Sequence, residues 1–310
     1  MRITNQMIAD TNNRYLMDNL ERINKAQKQV NSQKLFDNAS EDPLAASFSL
    51  SLKSTLHTIQ TFQDTAVSVD NWMTASDYGF QQMNDLSLRA NSLILSGVND
   101  TVGASDRAGM AVEINGMLNQ ALDSANSSQD GQFLFSGFKT NVKPFELIDH
   151  SQPPNLDPAF NDPITGVYEV QYKGDSGLMQ RSINVGQTIT QNVPGEGPFK
   201  EFLQRLVQAR EALKSNDTSK LSEALAGLQT TAAAMTDTQG ASASRWRQVQ
   251  STSDFLDKSM QETTRLLSQN EDVNMAEGIT ELQKQQSNYQ VVMEVTSRAI
   301  SAMTLFDYLK

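Results

Sequence analysis

The sequence predicts a mainly α protein with a small β insert: N- and C-terminal arms form a long antiparallel helical rod of coiled-coil type around a β-rich middle domain. Three observations carry the prediction. Seven of the eight prolines and six of the sixteen glycines fall between Pro144 and Pro198, and outside that stretch the only proline is Pro43. Proline removes a helix hydrogen bond and clashes with the preceding turn, so this distribution leaves two helical arms around an irregular or β segment. Positions 48, 52, 55, 59, 62, 66, 69, 73, 76, 80, 83, 87, 90 and 94 keep alternating 4-3 spacing, and eleven of these fourteen are apolar in a chain that is 38% apolar. That is a heptad stripe. A mean hydropathy of -0.46 is lean for a thick globular core and suits long amphipathic helices.

The elements follow in chain order. Leu16, Leu20, Ile23, Gln27 and Val30 give the N-terminal stretch a 4-3 stripe. A helix from about Leu44 to Ser96 would span roughly 75 Å, with Pro43 suited to its first turn and the Gly97-Val98-Asn99-Asp100 run to its stop. A second helix covers about Ser105 to Ser127. In the insert, Val167–Tyr172 and Gln180–Gln187 alternate as strands, and the Gly174-Asp175-Ser176-Gly177 turn between them predicts that they pair as a hairpin. Phe199 to Leu213 forms a short helix after the Gly-Pro exit, and Leu221 to Met235 resumes after Asn216-Asp217-Thr218. Trp246, Val249, Ser253, Leu256, Met260, Thr263 and Leu267 then hold a heptad that mates with the first-arm stripe. Positions 279, 282, 286, 289, 293, 296, 300 and 303 form the last stripe, opened by Asn274 as an N-cap with Glu277 three residues on. These limits divide the chain into a terminal coiled-coil domain at 1–38 and 274–310, a helical rod domain at 39–140 and 199–273, and the β-rich insert at 141–198.

Composition narrows function. Twenty-five basic against thirty-six acidic residues give a formal charge of -11, without a basic block, which removes support for binding nucleic acid or anionic lipid. No cysteine and two histidines leave no thiolate chemistry and little imidazole chemistry. No apolar run is long enough for membrane insertion, and the polar start lacks a signal-peptide apolar stretch, so the default location from composition is cytoplasmic. Gly174-Asp175-Ser176-Gly177 coincides with the nucleophile segment of trypsin-like proteases, and a secreted hydrolase using Ser176 is the rival of another class. His57 on a solvated helix face and His150 in the proline-rich linker give it no base, and a tight turn explains the segment. The acidic run Asp37-Asn38-Ala39-Ser40-Glu41-Asp42 lacks the glycine and distant glutamate of a calcium loop and reads as a helix-start loop. No catalytic residue, cofactor or metal is expected.

Several segments carry a resemblance. Near the N-terminus, Gln33 to Ala46, with Asn38-Ala39-Ser40-Glu41-Asp42-Pro43, is similar to a turn of the flagellin family, although Leu35-Phe36-Asp37 departs from it. Met83 to Asp100 resembles the family's spoke helix. Gly131-Gln132-Phe133-Leu134-Phe135-Ser136-Gly137-Phe138-Lys139-Thr140, followed by Pro144-Phe145, is the most specific likeness, and with Pro43 it points to the family's hook–filament junction branch. Tyr172 to Gly177, Ile183 to Gly186 and the closing Leu305-Phe306-Asp307-Tyr308-Leu309 are similar to that branch as well.

The resemblance implies an extracellular structural subunit of the bacterial flagellum and no enzyme, exported through the flagellar type III system without a cleaved signal peptide, which replaces the cytoplasmic default. It implies a hook–filament junction adapter in a homo-oligomeric ring of about eleven subunits, joining hook-associated protein 1 to flagellin and met before export by a cytoplasmic chaperone. A short flagellin, the filament subunit, is the nearest alternative. The narrow terminal stripes bury little surface alone, so order at the ends is expected to depend on neighbouring copies. The expected assembly interface is Ile3, Met7, Leu16, Leu20, Ile23, Val30, Ile279, Leu282, Tyr289, Met293, Ile300, Met303, Leu305, Phe306 and Leu309.

Overall fold

Pro43 opens the longest helix of the protein, α2 (Pro43–Val98), at a position where no backbone N–H is needed. Asp42 caps it, its Oδ1 accepting the N–H of Ala45 at 3.0 Å. The computed structural model describes residues 5–149 and 168–308. Among them the helices are α1 (Asn5–Ser32), α2, α3 (Ala104–Ala125), α4 (Pro198–Lys214), α5 (Thr218–Glu271) and α6 (Met275–Tyr308). The strands are β1 (Ser128–Gln129), β2 (Gln132–Phe133), β3 (Phe145–Asp149), β4 (Tyr168–Tyr172), β5 (Gln180–Asn184) and β6 (Gln187–Thr190). The mainly α class with a small β insert is the observed one. No described helix is long and apolar enough to cross a membrane.

The chain forms two compact units, Met1–Ile59 with Lys258–Lys310, and Gln60–Asp257. Along α2 the heptad stripe is real: Leu52, Ile59, Ala66, Val69, Met73, Ser76, Phe80, Met83, Ser87, Ala90 and Ile94 are buried, Phe62 is half-buried, and only Phe48 and Thr55 at its start are exposed. Within the second unit α5 runs antiparallel to α2, as a ladder of side-chain bonds shows. Asn91 Oδ1 accepts from Gln229 at 3.5 Å, Asn84 donates to Gln239 at 2.7 Å, and Asp77 accepts from Gln239 at 2.8 Å. Asp70 accepts the indole N–H of Trp246 at 2.7 Å, and Gln63 donates to Asp257 at 2.9 Å. The α2 members recur every seven residues, so one heptad position carries a polar column beside the apolar seam.

The core of this unit centres on three rings. Phe135 meets Phe199 edge-on at 4.6 Å between centroids and Phe80 edge-on at 5.8 Å, and all three are fully buried. Aromatic pairs of this geometry add about 0.5–1.5 kcal/mol each beyond their buried area. Phe135 reaches the core because the chain reverses at Asp130 and Gly131, both with positive φ (51° and 77°), in a tight hairpin that pairs Gln129 with Gln132.

The β insert pairs differently from the sequence expectation. β4 does not form a hairpin with β5. It pairs antiparallel with β3, Phe145 opposite Tyr172, and β5 pairs with β6 in its own hairpin turning at Asn184–Gly186. The Gly174–Gly177 turn cannot return the chain because its polar groups are committed to the stretch after β2. Asp175 Oδ1 accepts the N–H of Phe138 at 2.7 Å, Asp175 N–H donates to the Ser136 carbonyl at 3.0 Å, and the Tyr172 hydroxyl lies 2.9 Å from the Phe135 carbonyl. β4 rests on α4, where the Arg210 guanidinium stacks 4.3 Å over the Tyr168 ring.

Candidate assembly interface

The terminal helices supply the site. α1 and α6 pack side by side in the first unit. Their antiparallel sense is set where the chain leaves α1: Lys34 bridges antiparallel to Asp272, and the N–H of Val273 donates to the Gln33 carbonyl at 2.9 Å. Gln33 makes the sharp exit with φ 59°. Asn274 Oδ1 accepts the N–H of Ala276 at 3.2 Å, so the predicted N-cap of α6 is in place.

The same end carries a charged anchor. Glu271 is only 6% exposed. Its carboxylate takes Lys34 at 3.2 Å and Lys53 through the other oxygen. Burial works against its charge, but the Lys53 and Lys34 ammoniums and Ser49 outweigh it and hold the carboxyl below the usual range. Beside it, Asn270 donates to the Ala45 carbonyl at 2.9 Å and to Ser49 at 2.6 Å. The loop between α1 and α2 folds back because Lys28 pairs with Glu41 at 2.8 Å and Asp37 at 3.3 Å. The hydrogen bond from Lys28 is the main reason Glu41 titrates below its ordinary value. The acidic run is thus a helix-start loop whose carboxylates are engaged by Lys28 and, at Asp42, by the cap of α2.

The inward faces of the hairpin are narrow. On α1 they are Asn12, Leu16, Asn19, Ile23 and Val30, half-buried, with Ala26 buried. On α6 they are Gly278, Leu282, Gln285, Tyr289 and Val292, half-buried, with Thr296 buried. Of the residues expected at the interface, Leu16, Ile23, Val30, Leu282 and Tyr289 therefore sit in the seam between the two helices. Met7 (58%), Leu20 (37%), Ile279 (43%) and Met293 (46%) are exposed instead. Ile3 and Leu309 lie outside the described residues. Ile300, Met303, Leu305 and Phe306 belong to α6, with side chains outside those described.

The serine segment has a structural task. Asp175 also accepts the N–H of Gly177 at 2.9 Å, and its two backbone bonds, that from Phe138 foremost, hold its carboxyl below the usual range. The acid that would orient a base is spent on the turn, and Ser176 beside it is exposed. His57 belongs to α2 in the other unit, and His150 lies outside the described residues.

These features converge on the resemblance noted in the sequence. The bacterial flagellin N-terminal helical region matches residues 3–140, which hold α1, α2, α3 and the β1–β2 hairpin. This part of the chain is similar to the helical region with which bacterial flagellins begin. Flagellar hook-associated protein 3 of Salmonella typhimurium is 28% identical over 153 residues, 47% of this chain and 46% of that protein, so the chain matches about half the length of that curated relative. A putative flagellar hook-associated protein from Vibrio parahaemolyticus superposes with a TM-score of 0.63 at 16% identity, covering 75% of this chain and 100% of that one. FlgL of Bacillus cereus does so at 0.58 and 18% identity, covering 70% and 99%. The structural likenesses establish a shared fold, and the sequence likeness to the flagellin family and to hook-associated protein 3 is upheld.

Within the segment similar to flagellin, the stretch Gly131 to Thr140 is the one that drives Phe135 into the core and presents Phe138 to the Asp175 turn. Three groups of residues escaped the sequence reading: the polar column of α2, the Asn270–Glu271 anchor and the buried Arg107. The column was visible as Gln63, Asp70, Asp77, Asn84 and Asn91 at seven-residue intervals. The anchor had no local signal, since its partners are distant in the chain, and Arg107 had none because two of its acceptors are backbone carbonyls, of Gly97 and Asn99, and the third is the distant Asn216.

Proposed function

We propose that the chain is a structural subunit of the bacterial flagellum, an adapter at the junction of hook and filament rather than an enzyme. The observation that carries this reading is the apolar stripe Leu20, Ile279 and Met293 standing in solvent on the terminal hairpin, in a chain whose curated relative is named flagellar hook-associated protein 3. Exposed aliphatic side chains aligned along two paired helices favour burial against a further surface. In this reading residues 1–38 and 274–310 complete themselves against neighbouring copies in a ring of about eleven subunits, with Ile3, Met7, Ile300, Met303, Leu305, Phe306 and Leu309 joining the stripe. Residues 39–140 and 199–273 form the rod, and 141–198 the insert. Hook-associated protein 1 and flagellin are the partners on the two sides. The location is extracellular, reached by type III export after release from a chaperone.

Leu20→Asp and Met293→Asp test it. Both sites are exposed, so the isolated variants should melt like the parent while cells carrying them lose attached filaments and motility. Normal filaments in both variants would overturn the reading. The flagellin match also favours a second reading, a short filament subunit. Purified protein that polymerises without limit supports that one; protein that only seeds growth of added flagellin supports the adapter.

A further inference from the structure

The inward residues of α1 and α6 mate layer by layer. Gly278 faces Val30 so closely that a Cβ on it would lie 3.3 Å from Val30 Cγ2. Stepping by four and three residues down α1 and by the same steps up α6 pairs Ala26 with Leu282, Ile23 with Gln285, Asn19 with Tyr289, Leu16 with Val292 and Asn12 with Thr296. Each of these is an observed inward position. The antiparallel register is therefore complete over six layers, yet it is not the most apolar one these helices offer.

The heptad read from sequence differs by one residue at alternate positions on both helices. It keeps Leu16, Ile23, Val30, Leu282, Tyr289 and Thr296, but takes Leu20 in place of Asn19, Gln27 in place of Ala26, Ile279 in place of Gly278, and Met293 in place of Val292. Its layers also mate without exception: Val30 with Ile279, Gln27 with Leu282, Ile23 with Gln286, Leu20 with Tyr289 and Leu16 with Met293. At two further positions the exchange keeps the residue type, Asn13 for Asn12 and Gln286 for Gln285. At 100° and about 1.5 Å per residue, moving one seam to the other needs each helix to roll about 50° and the two to slide about 1.5 Å past each other. Because the helices are antiparallel, the two rolls turn against each other like meshed gears. Three large side chains now in solvent, Leu20, Ile279 and Met293, would enter the seam as Asn19, Gly278 and Val292 leave it.

We propose that the terminal hairpin is a two-register device. The observed seam uses Asn19, Ala26, Gly278 and Val292 and leaves Leu20, Ile279 and Met293 outside; the other takes those three large side chains inside, with Gln27, and turns Asn19, Ala26, Gly278 and Val292 outward. Six shared residues serve both, so neither state requires unfolding, and a slide of about 1.5 Å is within the range of packed helices. The device sets whether the apolar stripe is available to another surface, and it stands whether or not that surface is a flagellar partner.

The chain has no cysteine, so introduced pairs report cleanly. Asn19→Cys with Tyr289→Cys is favoured in the observed seam, and Leu20→Cys with Tyr289→Cys in the other, because a disulfide needs Cβ atoms that point at each other as well as nearby Cα atoms. In dilute full-length protein under a glutathione redox buffer, both pairs should form intramolecular disulfides well above a control pair, Met17→Cys with Tyr289→Cys. Adding Gln285→Leu, which makes the observed seam more apolar, should raise the first yield and lower the second severalfold. If the Leu20–Tyr289 pair stays at the control level while the Asn19–Tyr289 pair closes, the hairpin has one register and the proposal fails. It also fails if Gln285→Leu leaves the ratio unchanged. Neither outcome bears on filament attachment, which tests the proposed function separately.

Discussion

Lys34 Nζ lies 3.2 Å from Glu271 Oε2, joining the exit of α1 to the last residue of α5. Lys53 of α2 takes the other oxygen, so three segments of the first unit converge on one nearly buried carboxylate. The lysines are about half exposed, at 44% and 48%, and water can serve them if the glutamate is lost. Glu271→Ala should therefore cost about 1–3 kcal/mol, the range for a lost charge-assisted buried bond, and not the full cost of stranded charges. Hydrogen exchange at Leu35 and Val273, whose N–H groups bond across this junction, should accelerate in the variant.

The same carboxylate gives the unit an acid dependence. Its folded value lies below its unfolded one, so the stabilisation is complete above the ordinary glutamate range and disappears as pH falls through the folded value. Protection around residues 33–36 and 270–274 should be flat from about pH 7 to 5 and weaken below about pH 4. Glu271→Gln should flatten that acid limb. An unchanged limb in the variant would assign it to other carboxylates.

Arg107 gives a prediction in the second unit. It is 5% exposed and donates to the carbonyl of Gly97 at 2.8 Å, to that of Asn99 at 3.0 Å and to Asn216 Oδ1 at 2.6 Å. The guanidinium thus satisfies the open carbonyl end of α2, where the helix dipole also favours a cation, and ties it to the turn before α5. Arg107→Met keeps the reach but strands two carbonyls and should cost about 2–4 kcal/mol in denaturant unfolding. Arg107→Lys should fall between, since one ammonium cannot span three acceptors.

How much of this was legible in the sequence depends on where each partner lies. The stripe from Leu52 to Ile94 was readable because burial on α2 follows its own heptad, and Pro43 and Asn274 marked helix starts through local caps. At Leu20, Ile279 and Met293 the hairpin departs from the heptad of the sequence and leaves these side chains exposed. Counting apolar residues favours them, whereas the folded hairpin half-buries Asn19, Gly278 and Val292 in their place. The strand pairing failed for a related reason. Gly174 to Gly177 has the composition of a hairpin turn, and nothing nearby reveals that Phe138 and Ser136, almost forty residues earlier, claim its polar groups.

The polar column between α2 and α5 can be probed through one of its rungs. Asp70 accepts the Trp246 indole N–H at 2.7 Å in a partly buried setting. Asp70→Ala should cost about 1 kcal/mol and alter Trp246 emission as the indole loses its acceptor. Trp72, the other tryptophan, is 6% exposed, so a Trp72→Phe background isolates the signal. No change in emission would mean that this rung does not hold the two helices in register.

The last prediction separates backbone conformation from crowding at two glycines of the Gly131 to Thr140 stretch. Gly131 and Gly137 both have positive φ, 77° and 72°, but only Gly137 is hemmed in: a Cβ there would lie 2.1 Å from the Asp175 carbonyl oxygen, whereas one at Gly131 meets nothing within 4 Å. Gly131→Ala should therefore cost only the left-handed penalty, about 1–2 kcal/mol. Gly137→Ala adds displacement of the Asp175 turn, and with it the bonds to Phe138 and Gly177, for a further loss of about 1–3 kcal/mol. Asp175→Ala should approach the Gly137 result and leave Gly131→Ala nearly additive, since that site shares no partner with it. Equal losses at the two glycines in urea unfolding would show that the turn moves aside freely and does not pin the insert.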